Sequence, residues 1–167
     1  MSRLHKIGLL ALMLLMARPS DSHAQAAAST KYKCLIQMTN YMGEGAYMVV
    51  SLINPKGAYE KTLAILGSDK KWYPDLKEWH KALAKKTSNI SAISGASVSG
   101  GDRSVTVLDI ENAKIDKNYK LRFESAVEDN KYYPKDLEVP LTTEGLSAKT
   151  EGTGYIRYVR FSPNTSN

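Results

Sequence analysis

Tyr119-Lys120-Leu121-Arg122-Phe123-Glu124-Ser125-Ala126-Val127 alternates with a period of two residues. Tyr119, Leu121, Phe123, Ser125 and Val127 fall on one face, while Lys120, Arg122 and Glu124 fall on the other. Successive side chains of an extended chain point to opposite sides, so this pattern predicts a half-buried β-strand. Working outward, residues 32–38, 46–53, 61–66, 105–110, 137–141 and 154–161 read as further short strands. Asn54-Pro55-Lys56-Gly57 is a turn between two of them, making residues 46–66 a hairpin. Pro140 lacks an N–H to donate, which confines its strand to a sheet edge or a bulge. Short strands punctuated by turns predict a mainly β domain, a β-sandwich, with a small barrel as the alternative.

One helix is expected, over residues 74–86. Pro74 suits a first helical turn, and Asp75 places a carboxylate at the positive end of the helix dipole. Leu76, Trp79 and Leu83 recur at three and four residues and form one apolar stripe. Lys81, Lys85 and Lys86 load the C-terminal end. Trp72, Tyr73 and Trp79 cluster at the helix start, as core packing or as a surface for a flat ligand. Residues 88–103 are rich in serine and glycine with few large side chains, which reads as a loop; long loops in compact domains often carry function.

The N-terminus reads as an export signal. Arg3, His5 and Lys6 precede Ile7-Gly8-Leu9-Leu10-Ala11-Leu12-Met13-Leu14-Leu15-Met16-Ala17, an apolar run too short to span a bilayer. Ala24-Gln25-Ala26 supplies the small-x-small pattern of a cleavage site, with Ser22-His23-Ala24 as a competitor. The expected organisation is a signal peptide over 1–26 and a single domain over 27–167. Loss of Arg3, Lys6, Arg18 and Asp21 lowers the formal charge from +6 to +4. That modest excess, with no run of Lys or Arg longer than two residues, does not point to nucleic acid. Cys34 is the single cysteine, so no intramolecular disulfide forms, and without a lipobox before it no lipid anchor is expected. Within its strand it reads as a small buried hydrophobe.

Few chemistries are open to the remaining residues. His80 is the one histidine beyond the signal, and with Cys34 it cannot make up a zinc site. No Gly-x-Ser-x-Gly elbow accompanies it, and the carboxylates are scattered among lysines, so no catalytic constellation and no metal site is expected.

Leu66-Gly67-Ser68-Asp69-Lys70-Lys71-Trp72-Tyr73-Pro74-Asp75-Leu76-Lys77-Glu78-Trp79, followed by Ser94-Gly95-Ala96-Ser97, resembles a family of predicted periplasmic proteins of unknown function encoded beside PepSY-type membrane proteins. Asn118-Tyr119-Lys120-Leu121-Arg122-Phe123-Glu124 resembles that family's Gly-x-Tyr-x-Val strand, itself similar to the immunoglobulin-like domain of flagellar hook-cap proteins. The resemblance runs from about Tyr32 to Phe161 and implies an immunoglobulin-like β-sandwich with one substantial helix. The loop tetrapeptide also resembles the acceptor sequence of flavin transferases, which attach FMN to the last Ser or Thr. Carried over residue by residue, Ser97 is the acceptor, Gly95 and Ala96 allow close approach, and Ser94 fills the first hydroxyl position. Ser91 stands where the pattern has Asp, which removes a carboxylate from recognition by the transferase.

The resemblance therefore implies a periplasmic electron-transfer protein, not an enzyme, that carries covalent FMN and takes electrons from a PepSY-type membrane protein. Arg103 would pair with the phosphate, and Trp72 or Tyr73 would cover the isoalloxazine. The alternative is a non-redox immunoglobulin-like binding or accessory module. From the small-x-small sites, the mature chain is expected to begin at Ala27, or alternatively at Gln25. Intact-mass analysis of protein from an exporting host checks this; retention of Met1 to Ala17 in the extracytoplasmic fraction would refute cleavage.

Overall fold

The computed structural model describes residues 28–85 and 93–164. The expected signal at 1–26 and the first part of the serine-rich segment, 88–92 with Ser91, lie outside the described residues. Each of the seven expected strand segments forms a strand: β1 (Ser29–Met38), β2 (Tyr47–Ile53), β3 (Tyr59–Leu66), β5 (Arg103–Glu111), β6 (Lys120–Ala126), β7 (Tyr132–Pro140) and β9 (Ile156–Pro163). Two short strands, β4 (Ile93–Gly95) and β8 (Thr150–Glu151), are additions. β4 corrects the expected loop over 88–103, because its backbone pairs in parallel with the open edge of β3. Such pairing uses main-chain groups and needs no large side chains.

The strands form two sheets, in the orders β5-β1-β9-β8 and β4-β3-β2-β6-β7. Every pair except β3–β4 is antiparallel. The fold is thus a β-sandwich, as expected. In the variable-type immunoglobulin arrangement one sheet runs G-F-C-C′-C″ and the other carries A-B-E. Here β7-β6-β2-β3-β4 follows the first order, and β9-β1-β5 follows the second. The place of the first strand is taken by the C-terminal β9, which pairs with β1 from Tyr32↔Pro163 to Met38↔Ile156. Pro140 closes β7, the outermost strand of its sheet, where its missing N–H leaves no ladder bond unmade.

The main core lies between the sheets, where Cys34, Ile36, Met48, Val50, Leu108, Leu121, Phe123 and Val159 interlock, all fully buried. Burial in this apolar layer pushes the Cys34 thiol pKa far up, which makes it an inert packing residue. A second, smaller core lies on the outer face of the β2-β3-β6 sheet. There a 3₁₀ segment, Lys70–Asp75, and helix α1 (Lys77–Ala84) cover Val49, Ile65 and Ala126 with Tyr73, Leu76 and Trp79.

The expected helix over 74–86 is therefore divided. Pro74 sits in the 3₁₀ segment, whose first turn is capped by Asp69 accepting from the Lys71 N–H at 3.0 Å. Leu76 then leaves helical geometry (φ −82°, ψ 67°) so that its side chain can bury completely, and α1 begins at Lys77. Trp79 is 1% exposed, with its indole N–H donating to Thr62 Oγ1 at 2.7 Å. The same covering segment alters β6. Glu124, on the face expected to be polar, is 2% exposed, because that face meets α1 instead of water.

Sheet closure depends on Asp136, which is fully buried in β7. Its Oδ1 accepts from the N–H groups of Thr153 (3.2 Å) and Gly154 (2.7 Å). Its Oδ2 accepts from the Ile156 N–H (3.0 Å) and from Ser125 Oγ (2.5 Å). One carboxylate thus ties β6 and β7 of one sheet to the turn that launches β9 into the other. Asp136→Ala would leave the Gly154 and Ile156 N–H groups and the Ser125 hydroxyl unpaired, while Thr153 N–H keeps the residue 136 carbonyl at 2.8 Å, and is expected to lower unfolding stability by about 3 kcal/mol. Asp136→Asn, which keeps one acceptor, should lose less. Urea titrations of the three proteins check this, and equal midpoints would refute it.

Candidate functional site

The serine tetrapeptide lies at the end of the sandwich where loops 39–46, 67–69 and 96–102 meet. Its first residues belong to β4: Ser94 is paired with Ile65, and Gly95 with Leu66. The Gly95 carbonyl also accepts from the Gly67 N–H at 2.7 Å. Just beyond, Val98 forms a bridge with Ala46, with N–H···O distances of 2.8 and 3.1 Å in the two directions. The Tyr41 hydroxyl reinforces this bridge by donating to the Val98 carbonyl while accepting from the Ala46 N–H at 2.8 Å. Ala96 and Ser97 are left exposed between two anchored points.

Gly45 faces Ser97. A Cβ at Gly45 would fall 2.6 Å from Ser97 Oγ and 3.0 Å from its Cβ, so that the serine would have to shift to admit it. The serine hydroxyl therefore occupies a notch that exists because residue 45 has no side chain. Nothing in the tetrapeptide itself points to Gly45 or Tyr41. The two glycines of Gly43-Glu44-Gly45, beside a strand start, were the signal available in the sequence.

The expected neighbours of Ser97 are distributed otherwise. Arg103 is exposed, and its Nε donates to the side-chain oxygen of Gln37 on β1, which orients the guanidinium while leaving its terminal NH2 groups open. Tyr73 cannot offer a ring face to a ligand. It is buried edge-on against Trp79, centroids 5.4 Å apart, and its hydroxyl donates to the Gly67 carbonyl at 3.2 Å. Trp72 is half-buried, with Lys71 Nζ 4.8 Å from its ring centroid. It lines a cleft of about 170 Å³ together with Val127, Asn130 and Tyr132. His80 is exposed on α1. Among the described residues no group of three or more His, Cys, Asp or Glu side chains is placed to hold a metal ion.

The segment carrying Trp72 is held down by a helix cap from the sheet. α1 has no side-chain cap of its own. Instead the Tyr132 hydroxyl accepts from the Glu78 N–H at 2.9 Å, and Glu124 Oε2 accepts from the Trp79 N–H at 3.1 Å. Tyr132 in turn donates to Glu124 Oε2 at 2.7 Å. Two of the N–H groups that every helix leaves unpaired at its start are thereby satisfied from β6 and β7. Burial raises the Glu124 carboxyl pKa, opposed by the Tyr132 and Trp79 hydrogen bonds and by Arg122. Burial likewise raises the Tyr132 phenol.

The described residues define a β-sandwich of immunoglobulin-like strand order, helix-covered on one face, with a hydroxyl-bearing loop cluster at one end. The chain belongs to the family described as "Predicted periplasmic protein (DUF2271)", whose model matches residues 29–158. Neither a curated protein nor a solved structure matches it. The family's periplasmic location agrees with the export expected from the N-terminus. No helix among the described residues is long and apolar enough to cross a membrane.

Glu124 gives the domain a predictable pH response. The folded state holds the Glu124 proton more tightly than the unfolded chain does. The stabilisation is therefore complete below the usual glutamate pKa and declines as pH rises through the raised folded value. Glu124→Gln keeps a carbonyl acceptor for the cap but cannot ionise, so its stability should lack this decline. Thermal melts of both proteins across the acid-to-neutral range check this, and a parallel decline in the variant would refute the assignment.

Proposed function

We propose that this protein is a periplasmic electron carrier with FMN attached through Ser97. The observation that carries this reading is the exposed Ser97 hydroxyl in its Gly45 notch, with Gly95 and Ala96 as slender neighbours. Attachment needs a nucleophilic oxygen and room for a phosphate to come up to the backbone. The transfer balances with FAD and a flavin transferase as co-reactants. Ser97 Oγ forms a bond to the phosphorus of the FMN half, the pyrophosphate P–O bond breaks, AMP leaves, and a base of the transferase takes the hydroxyl proton.

Once bound, a flavin supplies reversible one- and two-electron chemistry. The chain's part is to hold and orient. The Ala46–Val98 bridge and the Tyr41 hydroxyl fix the backbone next to the attachment point, and the paired Gly95 fixes it on the other side. A carrier of this kind needs no substrate pocket, and a PepSY-type membrane protein would be its electron donor. The competing reading, a non-redox binding or accessory module, rests on Ser91 in place of the acceptor motif's Asp.

Co-expression with a flavin transferase, followed by peptide mass spectrometry, separates the two. An FMN-sized adduct is expected on the peptide bearing residue 97, lost in Ser97→Ala and kept in Ser94→Ala. Gly45→Ala, which fills the notch, should sharply reduce occupancy while leaving the far-UV circular dichroism unchanged. Absence of adduct from both the natural chain and Ser91→Asp would overturn the carrier and leave the binding module.

A further inference from the structure

We infer that the cleft lined by Trp72, Val127, Asn130 and Tyr132 is the seat of the flavin ring, and that Gly43-Glu44-Gly45 is the floor leading to it from Ser97. The inference rests on the reading that Ser97 carries FMN.

Its geometric basis is one short stretch of backbone that touches both places. At one end Gly45 lies against Ser97 Oγ. At the other, a Cβ on Gly43 would lie 3.0 Å from Asn130 Nδ2 and 3.4 Å from Val127 Cγ1, two residues of the cleft wall. Gly43 has φ +124°, a conformation that side-chain-bearing residues rarely adopt, so this end of the floor is also bare. Two residues of chain reach at most about 7 Å. The distance from the Ser97 hydroxyl to the cleft wall is thus on the order of 10 Å, a span suited to a five-carbon ribityl chain. Along that path the positions nearest Ser97 and the cleft wall carry no side chain.

The cleft also has suitable chemistry. Trp72 offers an aromatic surface. Tyr132 is held rigid by its hydrogen bonds to Glu78 and Glu124. Asn130 donates one amide hydrogen to the Glu128 carbonyl at 3.2 Å and keeps its second hydrogen and its side-chain oxygen for the polar pyrimidine edge of a flavin. Lys77, also on the lining, has its Nζ 5.8 Å from the Tyr132 ring centroid and places a cation beside the cleft. Asp75 and Asp129 share the rim and disfavour a second anionic group there, so the phosphate belongs at the Ser97 end. A larger groove, about 400 Å³ and lined by Tyr32, Ile115, Leu146 and Phe161, is a poorer seat. It lies toward the start of β1, six residues or roughly 20 Å along the strand from the Met38 end that adjoins the Ser97 loops.

The test uses the full chain loaded by a flavin transferase, with adduct mass and flavin fluorescence read on the same sample. A ring stacked on tryptophan loses its emission by electron transfer from the indole in the excited state, and phenylalanine does not quench in this way. The natural chain is therefore expected to show strongly quenched flavin emission. Trp72→Phe should raise that emission severalfold at unchanged adduct mass and melting temperature. Should Tyr132 take over the quenching, the Trp72→Phe/Tyr132→Phe pair should raise it. Normal adduct with emission unchanged in both variants would overturn the seat while leaving the carrier standing. No adduct on either the natural chain or Ser91→Asp would overturn both.

Discussion

The Asp136 carboxylate is the constraint on which the two-sheet arrangement turns. A carboxylate taken out of water without partners is strongly disfavoured, so its burial requires that the chain surround it with donors. Three backbone N–H groups from one tight turn and the Ser125 hydroxyl do so. Charge-assisted hydrogen bonds are stronger than neutral ones and exacting in geometry. They set where residues 153–156 sit, and hence where β9 begins. β9 in turn occupies the inner position between β1 and β8. Without it, β1 would have β5 as its sole neighbour, and the Cys34, Ile36 and Met38 side of the core would lose a flank.

A second buried carboxylate, Glu124, does the comparable task for the helical layer, by a different route. It does not join two sheets but ends a helix, taking the Trp79 N–H from beneath while Tyr132 takes that of Glu78. The cap lies in the sheet and not in the helix sequence. The α1 docking angle is therefore tied to the register of β6 against β7, where Ser125↔Tyr133 and Ala126↔Tyr132 are paired across a shift. Acids in the sheet thus serve as joints between layers through N–H and hydroxyl donors, whereas ion pairs such as Arg122–Glu138 and Lys149–Glu151 lie nearer the surface.

This explains what could and could not be read from the sequence. Leu121 and Phe123 declared the core face of β6 by strict alternation, and the turn at Asn54-Pro55-Lys56-Gly57 declared the hairpin. Glu124 could not be placed that way: a carboxylate between Phe123 and Ser125 reads as solvent-facing unless one knows that a helix lies above it. The break at Leu76 was hidden because Leu76, Trp79 and Leu83 keep helical spacing although Leu76 itself is not helical. The place of β9 was illegible for a topological reason. Residues 154–161 read as a strand, but nothing local says that a last strand takes the position a first strand holds in other immunoglobulin-like sandwiches.

The candidate site was legible to a different degree, because much of it consists of what is missing. Motif reading looks for groups that can act, and it singled out the Ser97 hydroxyl, on a residue that stands exposed. It also singled out Tyr73, which the fold commits elsewhere, to the Gly67 carbonyl, and Arg103, whose Nε is used on Gln37. The accessibility of that hydroxyl is decided by Gly45, and the bare path away from it by Gly43, neither of which carries a functional group. A rigid bridge at Ala46–Val98 gives these absences their value. A loop free to move could make room around any small residue, whereas a serine set beside a paired backbone can be approached only where no side chain stands. The site is thus built as an opening in a well-held surface, and its limits are set by backbone pairing more than by the chemistry of its side chains.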